Sequence, residues 1–151
     1  MNTTVLIKKI SPLLGKEIPL PFYATPGAAA MDLHACMEED IVLLPGARAM
    51  VPLGFCMALE DSGLAAFLFA RSGLATKHGI ALANSVGVVD SDYRGEVKVG
   101  LYNSSGEAFV IKPGERVAQM AFLPVLTAQL VLSDHLPDSV RGEGGFGSTG
   151  K

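Results

Sequence analysis

Two cysteines, Cys36 and Cys56, are the only thiols in this 151-residue chain, and it has just three histidines. The cysteines sit in apolar stretches without C-x-x-C spacing, which predicts buried thiols in a reducing cytoplasm rather than a disulfide or metal site. No His, Cys or carboxylate spacing points to a tightly held metal. Basic charge is also short: 12 Lys and Arg stand against 15 Asp and Glu, a net charge of −3. Phosphate backbones select for a basic face, so this balance argues against nucleic-acid binding as the main function. No apolar run reaches the length of a transmembrane helix. In "MNTTVLIKKI" the lysines follow the apolar residues and no long h-region is present, so no signal peptide is expected. There is no Walker loop and no G-x-G-x-x-G after a strand. Ser72 lacks a hydrolase-type histidine arrangement, which disfavours a serine nucleophile.

Apolar residues, by contrast, make up 49% of the chain. That is more apolar surface than a small monomer usually hides, and it favours an oligomer. Turn signals recur at Pro45-Gly46, Asp61-Ser62-Gly63, Asp92 to Gly95, Asn103 to Gly106 and Pro113-Gly114. Between them lie strand-length runs, "DIVLL", "RAMVPLGFCMAL", "LAAFLFA", "EVKVGLY" and "VAQMAFLPVLTAQLVL", with no sustained helical period. This reads as an all-β sandwich or barrel in a single domain over residues 1–140. The remainder, 141–151, is rich in glycine and expected to be a flexible flap, since Gly-rich chain is costly to order without a ligand. One segment departs from the β pattern. In "RSGLATKHGI", Ser72 is expected to cap a short helix and Gly79 to end it.

Several positions carry chemistry, each with a plain structural reading beside the functional one. Arg71 and Ser72 sit at the helix start, where N–H groups, a hydroxyl and a guanidinium suit a phosphate; they equally suit a cap and a solvated charge. "GVVDSDYRGEV", Gly87 to Val97, reads as a β-hairpin with aspartates at its tip. Turns favour aspartate anyway, but Asp90 directly follows buried-type valines, which would fix it as a general base must be fixed. Asp32, in "AAMDLHAC", interrupts an apolar strand and lies either at a strand end or in a polar site; His34 reads as a surface histidine. Gln119, in "GERVAQ", is either a site contact or solvent-facing.

Taken together, "AAMDLHA", "ARSGLATKHGI", "GVVDSDYRGEV", "GERVAQ" and "RGEGGFGSTG" resemble, in order and spacing, the five motif blocks of the trimeric deoxyuridine triphosphate nucleotidohydrolases, the dUTPases. The resemblance implies a jelly-roll-like β subunit with one short helix, a homotrimer with active sites shared between subunits, and a cytoplasmic enzyme. It implies hydrolysis of dUTP to dUMP and pyrophosphate with Mg2+, which limits uracil in DNA and supplies the thymidylate precursor.

By position, the resemblance makes Asp90 the base that deprotonates a water attacking the α-phosphorus. Asp32 would hold the metal indirectly, through water. Asn84 with Gly87, Val88 and Val89 would read uracil, and Tyr93 would lie against the deoxyribose. Lys98 would touch the nucleotide through its backbone. Arg71, Ser72 and Gly73 would hold phosphates, with Gln119 nearby. Phe146 would stack on uracil, and Arg141, Gly147, Ser148 and Thr149 would close the tail over the γ-phosphate. A related deaminase branch of the fold would instead need a carboxylate poised at the pyrimidine ring, for which Glu96 is the candidate. Ala30, Ala70 and Ala75-Thr76 depart from the family pattern at positions with no chemical role.

Overall fold

The computed structural model describes residues 3–145. Alternation of buried and outward residues builds most of it. Along β4 (Arg48–Leu59), Val51, Leu53, Phe55, Met57 and Leu59 point inward, the period of two that a strand half-buried on one face requires. β4 pairs antiparallel with β1 (Val5–Lys9) on one side and with β8 (Glu96–Asn103) on the other, and β8 pairs with β6 (Ile80–Leu82). A second four-stranded sheet runs in the order β2 (Met31–His34), β10 (Arg116–Pro124), β5 (Leu64–Ala70), β7 (Val86–Val89). A short ribbon joins β3 (Ile41–Leu43) to β9 (Phe109–Ile111). The inner faces share one core, including Phe55, Leu33, Leu53, Leu101, Ile111 and Met120. The expected β architecture is there.

The ribbon is tied to β8 through Asn103, which is fully buried. Its amide donates to the carbonyls of Leu43 (2.9 Å) and Glu107 (2.7 Å), and its oxygen accepts from the Ser105 N–H (2.9 Å). A buried amide is tolerated because it is satisfied.

β4 carries a register shift between Pro52 and Cys56, and within it Gly54 has φ +76°. A side chain there would overlap the Cys36 sulfur and come within 2.9 Å of its Cβ. Gly54→Ala therefore combines left-handed strain with overpacking, and it should cost about 2–4 kcal/mol. Urea unfolding at fixed protein concentration measures this; a loss below about 0.5 kcal/mol, the size of a neutral surface change, contradicts it.

Three expectations need correction. The run from Val117 was expected to continue as strand to Leu132, but β10 ends at Pro124. From there Val125 donates to the Gly63 carbonyl (2.8 Å), the last hydrogen bond from this arm to the β domain among the described residues. Beyond it Leu126, Leu130, Leu132 and Val140 are each at least 93% exposed. Apolarity alone does not make a strand without a neighbour to pair with. The helix α1 spans Ser72–His78 with Arg71, not Ser72, at the N-cap and no side-chain cap bond, while Gly79 does end it in the left-handed conformation (φ 67°). Finally, "GVVDSDYRGEV" is not a hairpin: β7 pairs with β5 and β8 with β4 and β6, so Asp90–Gly95 crosses from one sheet to the other.

Candidate active site

Where the two sheets separate at that crossover, a cavity of about 410 Å³ opens. Asn84, Gly87, Val88, Val89, Asp90, Tyr93 and Lys98 line it, together with Met50, Leu68, Glu96 and Val97. Local structure explains each placement. Asn84 sits in a tight turn after β6, where Ser85 adopts φ 65° and Val86 N–H bonds to the Asn84 carbonyl (2.7 Å). Such a conformation is rare for serine and persists only where the surroundings impose it. Gly87 packs on Leu68, whose Cβ would lie 3.0 Å from any added side chain. β7 is the last strand of its sheet, so alternate N–H and C=O groups along it face away from β5 and have no ladder partner. An edge of that kind is a row of fixed donors and acceptors.

Asp90 follows β7 and is exposed, and Tyr93 N–H bonds to its carbonyl (3.2 Å) to close the turn. The Tyr93 phenol passes directly over Gly95, where any side chain would collide with it, and donates to the Glu96 carbonyl (3.1 Å). Arg94 braces the turn from outside by donating to the carbonyls of Ser91 (2.8 Å) and Tyr93 (3.0 Å). Glu96, the carboxylate a deaminase would need poised at the pyrimidine, lines the cavity and is engaged at both oxygens. One accepts from Gly54 N–H (3.2 Å) and the other pairs with Lys98 (3.1 Å).

A second cluster lies apart from this cavity. Asp32 is 3% exposed and receives Arg116 Nη1 at 3.2 Å and Gln119 Nε2 at 3.3 Å, with Arg71 Nε at 3.6 Å. Of the two options for Asp32, the polar site holds. Sequence reasoning passed over Arg116, because nothing local marks which arginine on a strand meets an acid on its neighbour. His34 is not on the surface: it is 8% exposed and stacks on Phe22 at 5.8 Å between ring centroids. Burial lowers its pKa from the usual value, against an opposing pull from Asp32. Ser72 and Gly73 begin α1 beside this cluster.

One chain does not bring the two clusters together. Asp90 follows Val89, the end of β7 and the partner of Ala66, whereas Arg71 follows Ala70 at the far end of β5. From Ala66 to Arg71 is roughly 16 Å of extended strand. Arg141 joins neither cluster among the described contacts; its Nε donates to the Gly144 carbonyl (2.7 Å). The residues expected to close the tail, Phe146, Gly147, Ser148 and Thr149, lie outside the described residues.

Known proteins give this arrangement a context. A profile of the family described as dUTPase matches residues 16–150. A deoxyuridine 5'-triphosphate nucleotidohydrolase of Hahella chejuensis is 51% identical over 150 residues, covering 99% of each chain. Among solved structures, a Staphylococcus bacteriophage 80alpha dUTPase with dUPNHPP is similar with a TM-score of 0.81 at 24% identity, over 99% of this chain and 100% of that one. A mutant dUTPase from phage phi11 of S. aureus, in which a structural Mg(II) ion is coordinated, has a TM-score of 0.76 at 19% identity, over 89% and 99%. At such identities these two structures speak for the fold.

Proposed function

The chain belongs to the dUTPase family, enzymes that hydrolyse dUTP to dUMP, and from that premise we propose how its residues divide the reaction between copies of the chain. The uridine occupies the cavity at the β7–β8 crossover. Uracil offers a donor at N3 and an acceptor at O4, and the unpaired edge of β7 with Asn84 offers the complementary groups. Cytosine reverses both and would leave buried groups unsatisfied, a mismatch able to cost roughly 10⁴-fold. Tyr93, held over Gly95, fills the space a 2′-hydroxyl would need, and Lys98 supports the nucleotide through its backbone. Asp90 takes a proton from water as the water oxygen bonds to the α-phosphorus and the bond to the pyrophosphate oxygen breaks. No protein nucleophile is required, because positioning and charge neutralisation carry phosphoryl transfer.

Arg71, Ser72, Gly73 and Gln119 hold the phosphates, and they come from a different copy. The observation supporting this division is the separation along β5, with the base at one end and the phosphate-binding groups roughly 16 Å of strand away at the other. The bare aliphatic arm from Leu126 to Val140 supports association as well, since a monomer would leave it in water. We infer a homotrimer in the cytoplasm, with residues 1–140 as one unit, the β domain and its arm. Residues 141–151 close as a flap over the bound nucleotide, through Arg141, Phe146, Gly147, Ser148 and Thr149.

Magnesium would ride on the triphosphate, with Asp32 holding it indirectly through water. Among the described residues no group of three or more His, Cys, Asp or Glu could hold it. Asp32 already faces Arg71, Arg116 and Gln119, which leaves its carboxylate room for about one further donor, such as a metal-bound water. The ion's part is to neutralise the polyphosphate charge. Removal of dUTP keeps uracil out of DNA, and its product feeds thymidylate synthesis.

Pyrophosphate release across dUTP, UTP, dTTP and dCTP, with Mg2+ and with chelator, tests the reading. Release from dUTP alone, falling with chelator, is expected, with the others at least about 10³-fold slower. Ammonia from dCTP, or equal rates on UTP, would contradict it.

A further inference from the structure

We propose that Arg116 is a positioning residue whose charge satisfies Asp32 and thereby keeps the Arg71 guanidinium available to the polyphosphate. The inference rests on the dUTP reading above. Positions 116 and 119 are an odd number of residues apart, so on a regular strand their side chains would leave opposite faces. Both nevertheless reach Asp32, one at each carboxylate oxygen. The cause is a register shift between Arg116 and Ala118 in the β10–β2 ladder, where Arg116 pairs with His34 and Gln119 with Asp32. Consistent with an extra residue there, Val117 and Ala118 are both buried in succession. Bulges of this kind re-aim a side chain beside a functional site.

The re-aimed arginine changes what Arg71 can do. Asp32 is closer to Arg116 (3.2 Å) than to Arg71 (3.6 Å), and Arg71 Nε has no hydrogen-bond partner among the described residues. Arg71 is held instead through Nη1, which donates to the Arg116 carbonyl (3.1 Å). Two guanidiniums against one buried carboxylate leave one net positive charge. Without Arg116 the buried Asp32 would demand that charge from Arg71, because an unpaired carboxylate with so little access to water is costly. A polyphosphate would then meet a neutral cluster.

Binding of the imido analogue dUpNHpp and of dUMP, which lacks the β and γ phosphates, tests this in metal-free buffer. For Arg116→Met the dUpNHpp Kd should rise at least about tenfold, and the dUMP Kd should stay within about threefold of the parent. Arg116→Lys should recover most of the loss. The double variant Asp32→Asn with Arg116→Met removes the buried charge along with its partner, and it should bind dUpNHpp within about threefold of the parent. Parent-like dUpNHpp binding by Arg116→Met overturns the proposal. So do equal losses for both ligands, which would mark general damage, and a double variant as weak as the single one. If the unmodified protein binds dUpNHpp no more tightly than dUMP, the dUTP reading itself falls, whatever the variants do.

Discussion

Asp90→Asn is expected to lower kcat on dUTP by about 10²–10⁴-fold, the range a positioned general base contributes. Asparagine keeps the shape and the local hydrogen bonding but cannot accept a proton from water. Affinity for dUpNHpp should stay within about threefold, because the uracil contacts of β7, Asn84 and Tyr93 remain and the lost charge does not favour an anionic ligand. Stability should move by no more than about 0.5 kcal/mol, since Asp90 is exposed and its backbone carbonyl, not its carboxylate, closes the turn to Tyr93. Rapid-quench measurement of pyrophosphate release gives kcat directly. A loss smaller than about tenfold would remove Asp90 as the base.

Deleting residues 141–151 is expected to cost at least about a hundredfold in kcat/KM, because it removes Arg141 and the aromatic and hydroxyl groups proposed to close over the nucleotide. The thermal midpoint should fall by less than about 2 °C. Among the described residues, Arg141 to Gly145 hydrogen-bond only to one another or to Ser139, and none supports the β domain. Cutting further back, before Val125, is a different experiment, since it removes the bond to Gly63 and the apolar arm. A large drop in melting temperature on deleting 141–151 alone would mean that the segment is part of the folded domain rather than a flap.

Much of the fold could be read from the sequence wherever burial alternates and turns punctuate. The ends of β4 and β5 coincide with "RAMVPLGFCMAL" and "LAAFLFA", because each run is bounded by Gly, Pro or a charge. Pairing partners could not be read in this way. β7 and β8 flank a turn-rich segment and look like a hairpin, yet they join different sheets; alternation reports which face is buried and not which strand lies alongside. The arm beyond Pro124 is as apolar as a strand, and nothing local shows that it has no pairing neighbour among the described residues. Asn84, Gly87 to Asp90, Tyr93 and Lys98 line one cavity because they lie on consecutive elements around one crossover. Arg116 did not stand out because its meeting with Asp32 depends on a bulge. His34 was misjudged because its burial depends on Phe22, from a loop well before it in sequence.

Mixing two inactive variants tests the shared site most directly. Asp90→Asn subunits lack the base and Arg71→Ala subunits lack the phosphate-binding guanidinium, and each alone should be nearly inert. Denatured together and refolded into mixed oligomers, they should regain a sizeable fraction of dUTP hydrolysis, because some interfaces then pair an intact Asp90 with an intact Arg71 from another copy. If mixed oligomers are demonstrated by mass and activity stays at the level of the separate variants, both residues serve a site within one chain, and the proposed division between copies is wrong.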